Sequence, residues 1–493
     1  MAGYRRSPLS VTAPYGARRP LCWLVFPFIL CAAWPNPAPG QSRRLIQARA
    51  RELVERARRS AASIPDVLKS YDRIEARKRL GLEDRYALHR DLLEAIGEQR
   101  TTAMVQFAGE ILLRPSKKEY ASQVLMLKVV AKDDFPAPRS KRVEWLVRFL
   151  KDSHVPFSIW ACRLLGDTHW RESVDALIDV MALEENEHRS GGGLWNLASG
   201  ELYRVLGSSA YSVTAASIRR EWDRLGQKVP EPPRYSLATH GGGRTTTMGF
   251  FGDKISSRSV FVIDRSSSMR GPVTLKHNLG MSVTSVAGAK GDDGESKRAT
   301  GKKPAGTVET TEIPRERKID IVRKELLRAL DRLQRDFRFN IVSFDAAYEI
   351  WGARVGRTGR KSKSRTVSPA ALRRRARASK LRDLYPASPR NVTSARNFAL
   401  RLSTGKGTNI YDAIEVALGF RGVDTIYLLS DGSPSRGGTA PEIEKSIRLR
   451  NYLQGVRIIT YGFASERGED FDEAFMQRLA RDNWGWYRRL NRL

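Results

Sequence analysis

"SVFVIDRSSSMRG", residues 259–271, runs apolar as far as Ile263 and then breaks at Asp264 into a carboxylate followed by hydroxyls at Ser266 and Ser268. Its first half is short, β-branched and aromatic, as in a strand buried on both faces. In an open α/β sheet, ligand groups collect outside the carboxyl ends of the strands, and Asp264 stands at such an end. Asp-x-Ser-x-Ser alone arises by chance in roughly one chain in ten of this length at ordinary residue usage. The weight therefore falls on what the rest of the chain brings to the same place.

Three further runs read as buried strands: "FNIVSFD" (339–345), "TIYLLSDG" (425–432) and "RIITYGF" (457–463). Between the first two strands lies "IDIVRKELLRALDRLQRDF", with Ile319, Val322, Leu326, Leu330, Leu333 and Phe337 along one helical face. Strands alternating with amphipathic helices predict an α/β fold over 257–493, a Rossmann-like, mostly parallel sheet flanked by helices. "AAYEIWGARV" follows the second strand almost without a loop and reads as an antiparallel edge strand. Asp431, in "LLSDGSP", puts a second carboxylate at the rim of Asp264. Thr408, in "GKGTN" before the helix "IYDAIEVALGF", lies in a loop on that rim if the helix packs back on the sheet.

Two carboxylates and three hydroxyls suit a hard divalent cation such as Mg²⁺, with Mn²⁺ and Ca²⁺ as alternatives. No His or Cys lies near these positions, which disfavours softer metals. Uncharged hydroxyl ligands leave the ion electron-poor and able to accept a carboxylate from outside. Such a site captures an acidic partner better than it activates water.

With these residues in order, the half from Ser257 to Leu493 resembles a von Willebrand factor type A domain with a metal-ion-dependent adhesion site. The resemblance rests on Asp-x-Ser-x-Ser, then a Thr, then an Asp-Gly after a strand. It implies Asp264, Ser266, Ser268, Thr408 and Asp431 as metal-site residues, the two serines coordinating directly and the others directly or through water. "FMQRLARDNWGWYRRL" is similar to the last helix and strand of bacterial members. Ser267 departs from the Gly that many of them carry, at a position whose side chain is not a ligand.

Upstream, residues 41–229 show helical patterns with almost no strand signal. In "SIWACRLLGDTHWRESVDALIDVM", Trp160, Leu164 and Leu165 precede a turn at Gly166 and Asp167, and Val174, Leu177, Ile178 and Met181 follow at helical spacing. This hairpin resembles a HEAT-type repeat, with "ASQVLMLKVVAK" and "RVEWLVRFLKDS", and "LWNLASGELYRVLGS" and "AASIRREWDRLGQ", as neighbouring units. Stacked hairpins offer a partner an extended face. The pattern also fits a plain helical bundle. Residues 230–256, rich in Pro, Gly and Thr, read as a linker.

Residues 1–40 read as a secretory signal, with Arg5, Arg6, Arg18 and Arg19 ahead of "LCWLVFPFILCAAW". Left uncut, the segment would anchor the chain to a membrane. Two insertions interrupt the α/β part: a polar stretch at 282–315, expected to be disordered, and a basic one at 352–390 containing "LRRRARASKLR". The net charge of +32 over 493 residues favours acidic proteins or anionic polymers as partners, although a uniformly basic proteome would give the same number.

Other chemistries lack their parts. "TGKGTN" has Gly after its Lys and no earlier phosphate-loop Gly, so nucleotide binding is unsupported. His277 has no acidic orienter for a serine nucleophile. Cys162 falls in an apolar helical pattern and reads as a structural thiol. His154, His169 and His188 lack ligand spacing and read as turn or surface residues. The expectation is a metal-dependent protein-binding protein rather than an enzyme, its partner carrying an acidic residue. The alternatives are an anionic polymer held by the basic insertion and, behind it, a metal-assisted hydrolase. Nothing points to nucleic acid.

Overall fold

The computed structural model describes residues 39–77, 80–150, 155–188, 193–206, 214–229, 250–253, 255–273, 316–352, 383–431, 433–463 and 472–490. The signal segment as far as residue 38, the polar insertion 282–315, residues 353–382 of the basic insertion, His154 and His277 lie outside the described residues.

The first part is helical: α1 (Pro39–Arg59), α2 (Ile64–Arg77), α3 (Leu82–Gly97), α4 (Thr102–Ile111), α5 (Tyr120–Val130), α6 (Arg139–Leu150), α7 (Val155–Thr168), α8 (Arg171–His188), α9 (Gly193–Leu206) and α10 (Ala215–Arg224). α7 packs against α5, α6, α8 and α9. It is apolar nearly all round, and every residue from Phe157 to Gly166 is buried. Gly166 was expected in a turn but lies inside α7. The turn comes three residues later, where His169 takes φ 52°. Gly166 instead allows close helix approach, since a Cβ there would lie 2.6 Å from a Glu201 carboxylate oxygen on α9.

The second part begins with β1 (Arg258–Asp264), a short antiparallel pair of β2 (Pro272–Val273) and β3 (Glu316–Arg317), and α11 (Lys318–Asp331). There follow β4 (Arg338–Phe344), β5 (Tyr348–Ile350), β6 (Tyr385–Pro386), α12 (Pro389–Leu400), α13 (Ile410–Ala417), β7 (Thr425–Ser430), α14 (Ala440–Asn451), β8 (Arg457–Gly462), α15 (Glu473–Arg481) and β9 (Tyr487–Arg489). Leu333 and Phe337, expected on the face of α11, lie in the turn after it, where Phe337 N donates to Gln334 O at 3.0 Å. The main sheet runs β5-β4-β1-β7-β8-β9, with β6 also on β4. β1, β4, β7, β8 and β9 are parallel, while β5 and β6 are antiparallel to β4. Val262 stands opposite Val342 on one side and Leu428 on the other.

Alternation along β1 feeds two cores. Phe261 and Ile263 face Val322, Leu326 and Leu330 of α11, while Val260 and Val262 face Ile410 and Ile414 of α13 and Ile443 of α14. The expected linker and basic insertion each give residues to this fold. Phe250 is fully buried against Phe261, Tyr427 and Tyr461, and residues 385–390 form β6 and the start of α12, where the Ser388 hydroxyl accepts from Asn391 N.

Residues Ile46–Leu493 form one compact unit in which the helices clasp the α14–β8 turn. Trp160 Nε1 donates to Leu453 O at 2.8 Å, Lys128 Nζ to Tyr452 O at 2.9 Å and Arg163 Nε to Gly455 O at 3.2 Å, and Tyr120 also donates to Leu453 O. Arg163 and Arg457 both bind Glu201 Oε1, and Arg204 Nε donates to its Oε2 at 2.8 Å. This joint lies where β7 and β8 begin. Their other ends carry the rim with Asp264 and Asp431.

Candidate functional site

β1 delivers Asp264 to the rim, and the carboxylate then turns the chain. Ser266 N donates to Asp264 Oδ1 at 2.7 Å, and a single 3₁₀ turn follows, with Met269 N on Ser266 O at 3.1 Å. Ser430, the last residue of β7, donates its hydroxyl to Asp264 Oδ2 at 2.5 Å. The Ser266 and Ser268 hydroxyls are 2.8 Å apart, and Ser268 Oγ donates to Asp431 Oδ1 at 2.7 Å. Two strand ends that are adjacent in the sheet but 167 positions apart in sequence are thus joined by one hydrogen-bonded chain.

Thr408 is buried on the same rim. Its amide donates to Ser435 Oγ at 2.8 Å, and its carbonyl accepts from Ser435 N at 3.1 Å and Arg436 N at 3.2 Å. Its loop is also tied to the ends of β1 and β4, through Gly405 N on Arg265 O at 2.6 Å and Asn409 N on Asp345 O at 2.8 Å. Among the described residues no direct hydrogen bond joins the Thr408 hydroxyl to the other four groups. Asp345 caps its own turn, accepting from Ala347 N at 2.8 Å, and pairs with Arg265 at 3.3 Å. It shapes the rim and does not join the hydroxyl cluster.

Two residues of the site escape the sequence reading. Ser430 sits beside Asp431 in "LLSDG", and only strand alternation shows that it turns toward Asp264. Lys318, the first residue of α11, places Nζ 2.6 Å from Asp431 Oδ2. Nothing local in the sequence marks it, since an insertion separates it from the serine turn.

Burial raises the Asp264 carboxyl to about 7, with the nearby Asp431 carboxylate adding to the effect and the Ser430 and Ser266 hydrogen bonds opposing it. Two buried carboxylates this close favour a positive charge between or beside them. Among the described residues no three His, Cys, Asp or Glu side chains cluster as a metal site. The donors that do converge are two carboxylates and two serine hydroxyls, all oxygen, with Thr408 at their margin. That donor chemistry fits a hard divalent cation rather than zinc or copper.

Cys162 is fully buried in α7, and burial pushes its thiol well up, as expected of a structural residue. Among the described residues no helix is long and apolar enough to cross a membrane.

The mostly parallel sheet with its polar rim at the strand ends agrees with the α/β fold expected of this part. No family model matches the chain. Inter-alpha-trypsin inhibitor heavy chain H4 of Homo sapiens is 30% identical over 188 residues, which cover 36% of this chain and 17% of that protein. The Sus scrofa protein of the same name is 31% identical over 197 residues, 37% of this chain and 17% of its own length. The chain thus spans less than a fifth of these curated relatives. A solved von Willebrand factor type A structure from Catenulispora acidiphila is similar over 47% of this chain and 38% of its own, at 14% identity and a TM-score of 0.29.

Proposed function

We propose that the rim binds a divalent cation, Mg²⁺ first and Mn²⁺ or Ca²⁺ otherwise, and through it captures an acidic side chain of a protein partner. Ser266 and Ser268 would hold the ion directly, and Asp264, Asp431 and Thr408 directly or through water. The bound ion would supply a Lewis-acidic position for one external carboxylate. The observation that carries this reading is the joining of Asp264 and Asp431, from two strands, by the Ser266–Ser268 hydroxyl bridge. Its surroundings agree, because Arg270, Lys406 and Arg436 are exposed on the same rim and would draw an anionic surface toward it.

The role is binding rather than turnover, and the helical part, with its HEAT-like hairpins, supplies a second surface or a spacer. Residues 1–40 would export the chain, so the partner belongs to the cell envelope or beyond. A pull-down from envelope extract tests this, comparing wild type with Asp264→Ala, each with and without chelator. Capture by wild type alone, lost on chelation, is the expected result. Equal capture in all four conditions would sink the adhesion reading, and capture that resists chelator but falls steeply with salt would favour an anionic polymer on the basic insertion.

A further inference from the structure

Lys318 opens α11, where the helix dipole disfavours a cation. Its basic neighbours avoid the conflict by pairing locally. Arg317 and Arg323 both bind Asp320 at 2.7 Å, and Lys324 binds Glu316. Lys318 instead reaches out of its helix to Asp431 Oδ2 at 2.6 Å, with its own side chain only 12% exposed and that of Asp431 fully buried. Its backbone is fixed to the serine turn, since Lys318 N donates to Gly271 O at 3.0 Å and β2 pairs with β3 beside it. The ammonium is therefore held against the rim by the same turn that carries Ser266 and Ser268.

We infer that Lys318 is a tethered cation that weakens the hold of the rim on its metal ion while strengthening the hold of the loaded site on an anionic partner. This rests on the metal-binding reading above. With both carboxylates ionised, as a bound cation requires, Asp264 and Asp431 with the one ammonium leave a single negative charge, and a divalent ion turns that into a single positive one. Without the ammonium, the loaded site would be neutral. Ion and ammonium share Asp431, so they repel at short range in a partly buried place where screening is poor. The surplus positive charge is then available to an incoming carboxylate. Removing the lysine should move the two affinities in opposite directions, which a merely structural contact would not do.

The test uses the full chain and Mn²⁺ as the probe ion, titrated by calorimetry into wild type, Lys318→Met, Lys318→Arg and Asp264→Asn. Lys318→Met should bind Mn²⁺ at least about tenfold more tightly than wild type, Lys318→Arg much as wild type does, and Asp264→Asn far more weakly. At saturating Mn²⁺, a capped Gly-Asp-Gly peptide is then followed by the relaxation that the bound ion imposes on its protons. Its affinity should fall by about threefold or more in Lys318→Met and persist in Lys318→Arg. Unchanged or weaker Mn²⁺ binding by a folded Lys318→Met overturns the inference, as does unchanged peptide binding. Failure of every protein, wild type included, to bind Mn²⁺ would instead overturn the metal reading itself.

Discussion

Replacing Glu201 by Gln removes one charge from the joint between the helices and the sheet while keeping nearly the same volume. The carboxylate is fully buried and faces three guanidinium groups, from Arg163, Arg204 and Arg457. Burial opposes its ionisation, but Arg204, Arg163 and Arg457 outweigh that and hold the carboxyl down at about 2, against an ordinary 4.5. The gap between 4.5 and about 2, at roughly 1.4 kcal/mol per pH unit, corresponds to about 3–4 kcal/mol of stability at neutral pH. Independently, removing one partner of a buried ion pair costs about 3–5 kcal/mol, because the remaining charge is stranded. The two routes overlap at about 3–4 kcal/mol. A carboxyl depressed in the native state contributes stability that is complete above its unfolded value and is lost as pH falls through the native one. The wild-type advantage should therefore be whole above about pH 5 and shrink from there toward about pH 2. Urea unfolding at about pH 7 and about pH 3, followed by tryptophan fluorescence, measures this directly. Trp160 and Trp484 meet edge to face across the joint at 5.2 Å and report its opening. A loss below about 1 kcal/mol at neutral pH, or a gap between the proteins that does not narrow in acid, would refute the view that this one acid fastens the layers.

Asp264→Asn should behave with the opposite sign. A carboxyl raised from 3.8 to about 7 stabilises the fold fully below its unfolded value, and that contribution is lost as pH rises toward the native one. In chelator, the variant should gain up to about 4 kcal/mol over wild type near pH 8 and nothing near pH 4, as thermal melts at the two pH values would show. Added Mg²⁺ should raise the melting temperature of wild type and leave that of the variant unmoved. Gly166→Ala should lose about 1–3 kcal/mol in chemical denaturation, since the new methyl meets Glu201 and Arg204 side chains at 2.6 and 2.7 Å. Unaltered stability there would mean that α7 and α9 have room to separate.

Strands β1, β4, β7 and β8 were legible because each is a short apolar run bounded by polar turns, β6 was not because it lies in the stretch read as a basic insertion, and the helix from Ile319 to Leu330 was legible because its apolar spacing is regular. The edge strand Tyr348–Ile350 was legible from its tight connection. α12 was not, since it follows a basic stretch whose composition dominated the reading. Nor was α14, although Thr439 and Glu442 form a capping box that Pro441 strengthens. At the site, the residues set two apart after β1 could be read locally, and Asp431 by its place after a strand. Lys318 and Ser430 act through neighbours distant in sequence, and pairing of that kind leaves no periodic trace. The Gly166–Asp167 turn was misplaced for a related reason. Glycine marks both turns and close packing, and here the neighbour that decided between them, Glu201, is 35 positions away.

The joint and the rim stand at opposite ends of the same strands, and this constrains how one can influence the other. Arg457 opens β8 and Asp424 directly precedes β7, while Ser430 closes β7 and Asp431 follows it. Six residues of extended chain separate the ends by about 20 Å at roughly 3.3 Å per residue. The joint acts on the rim only over about 20 Å, where one charge is worth at most about 2 kcal/mol to a divalent ion at an effective dielectric near 20. A larger effect of Glu201→Gln on metal affinity must be carried by displacement of β7 relative to β1, the register that sets Asp431 beside the serine turn. If the joint only fastens, the variant loses stability and keeps its affinity for Mn²⁺ within that bound. If β7 slides when the joint loosens, both fall together, and the ratio of the two losses measures how stiffly the sheet connects its ends.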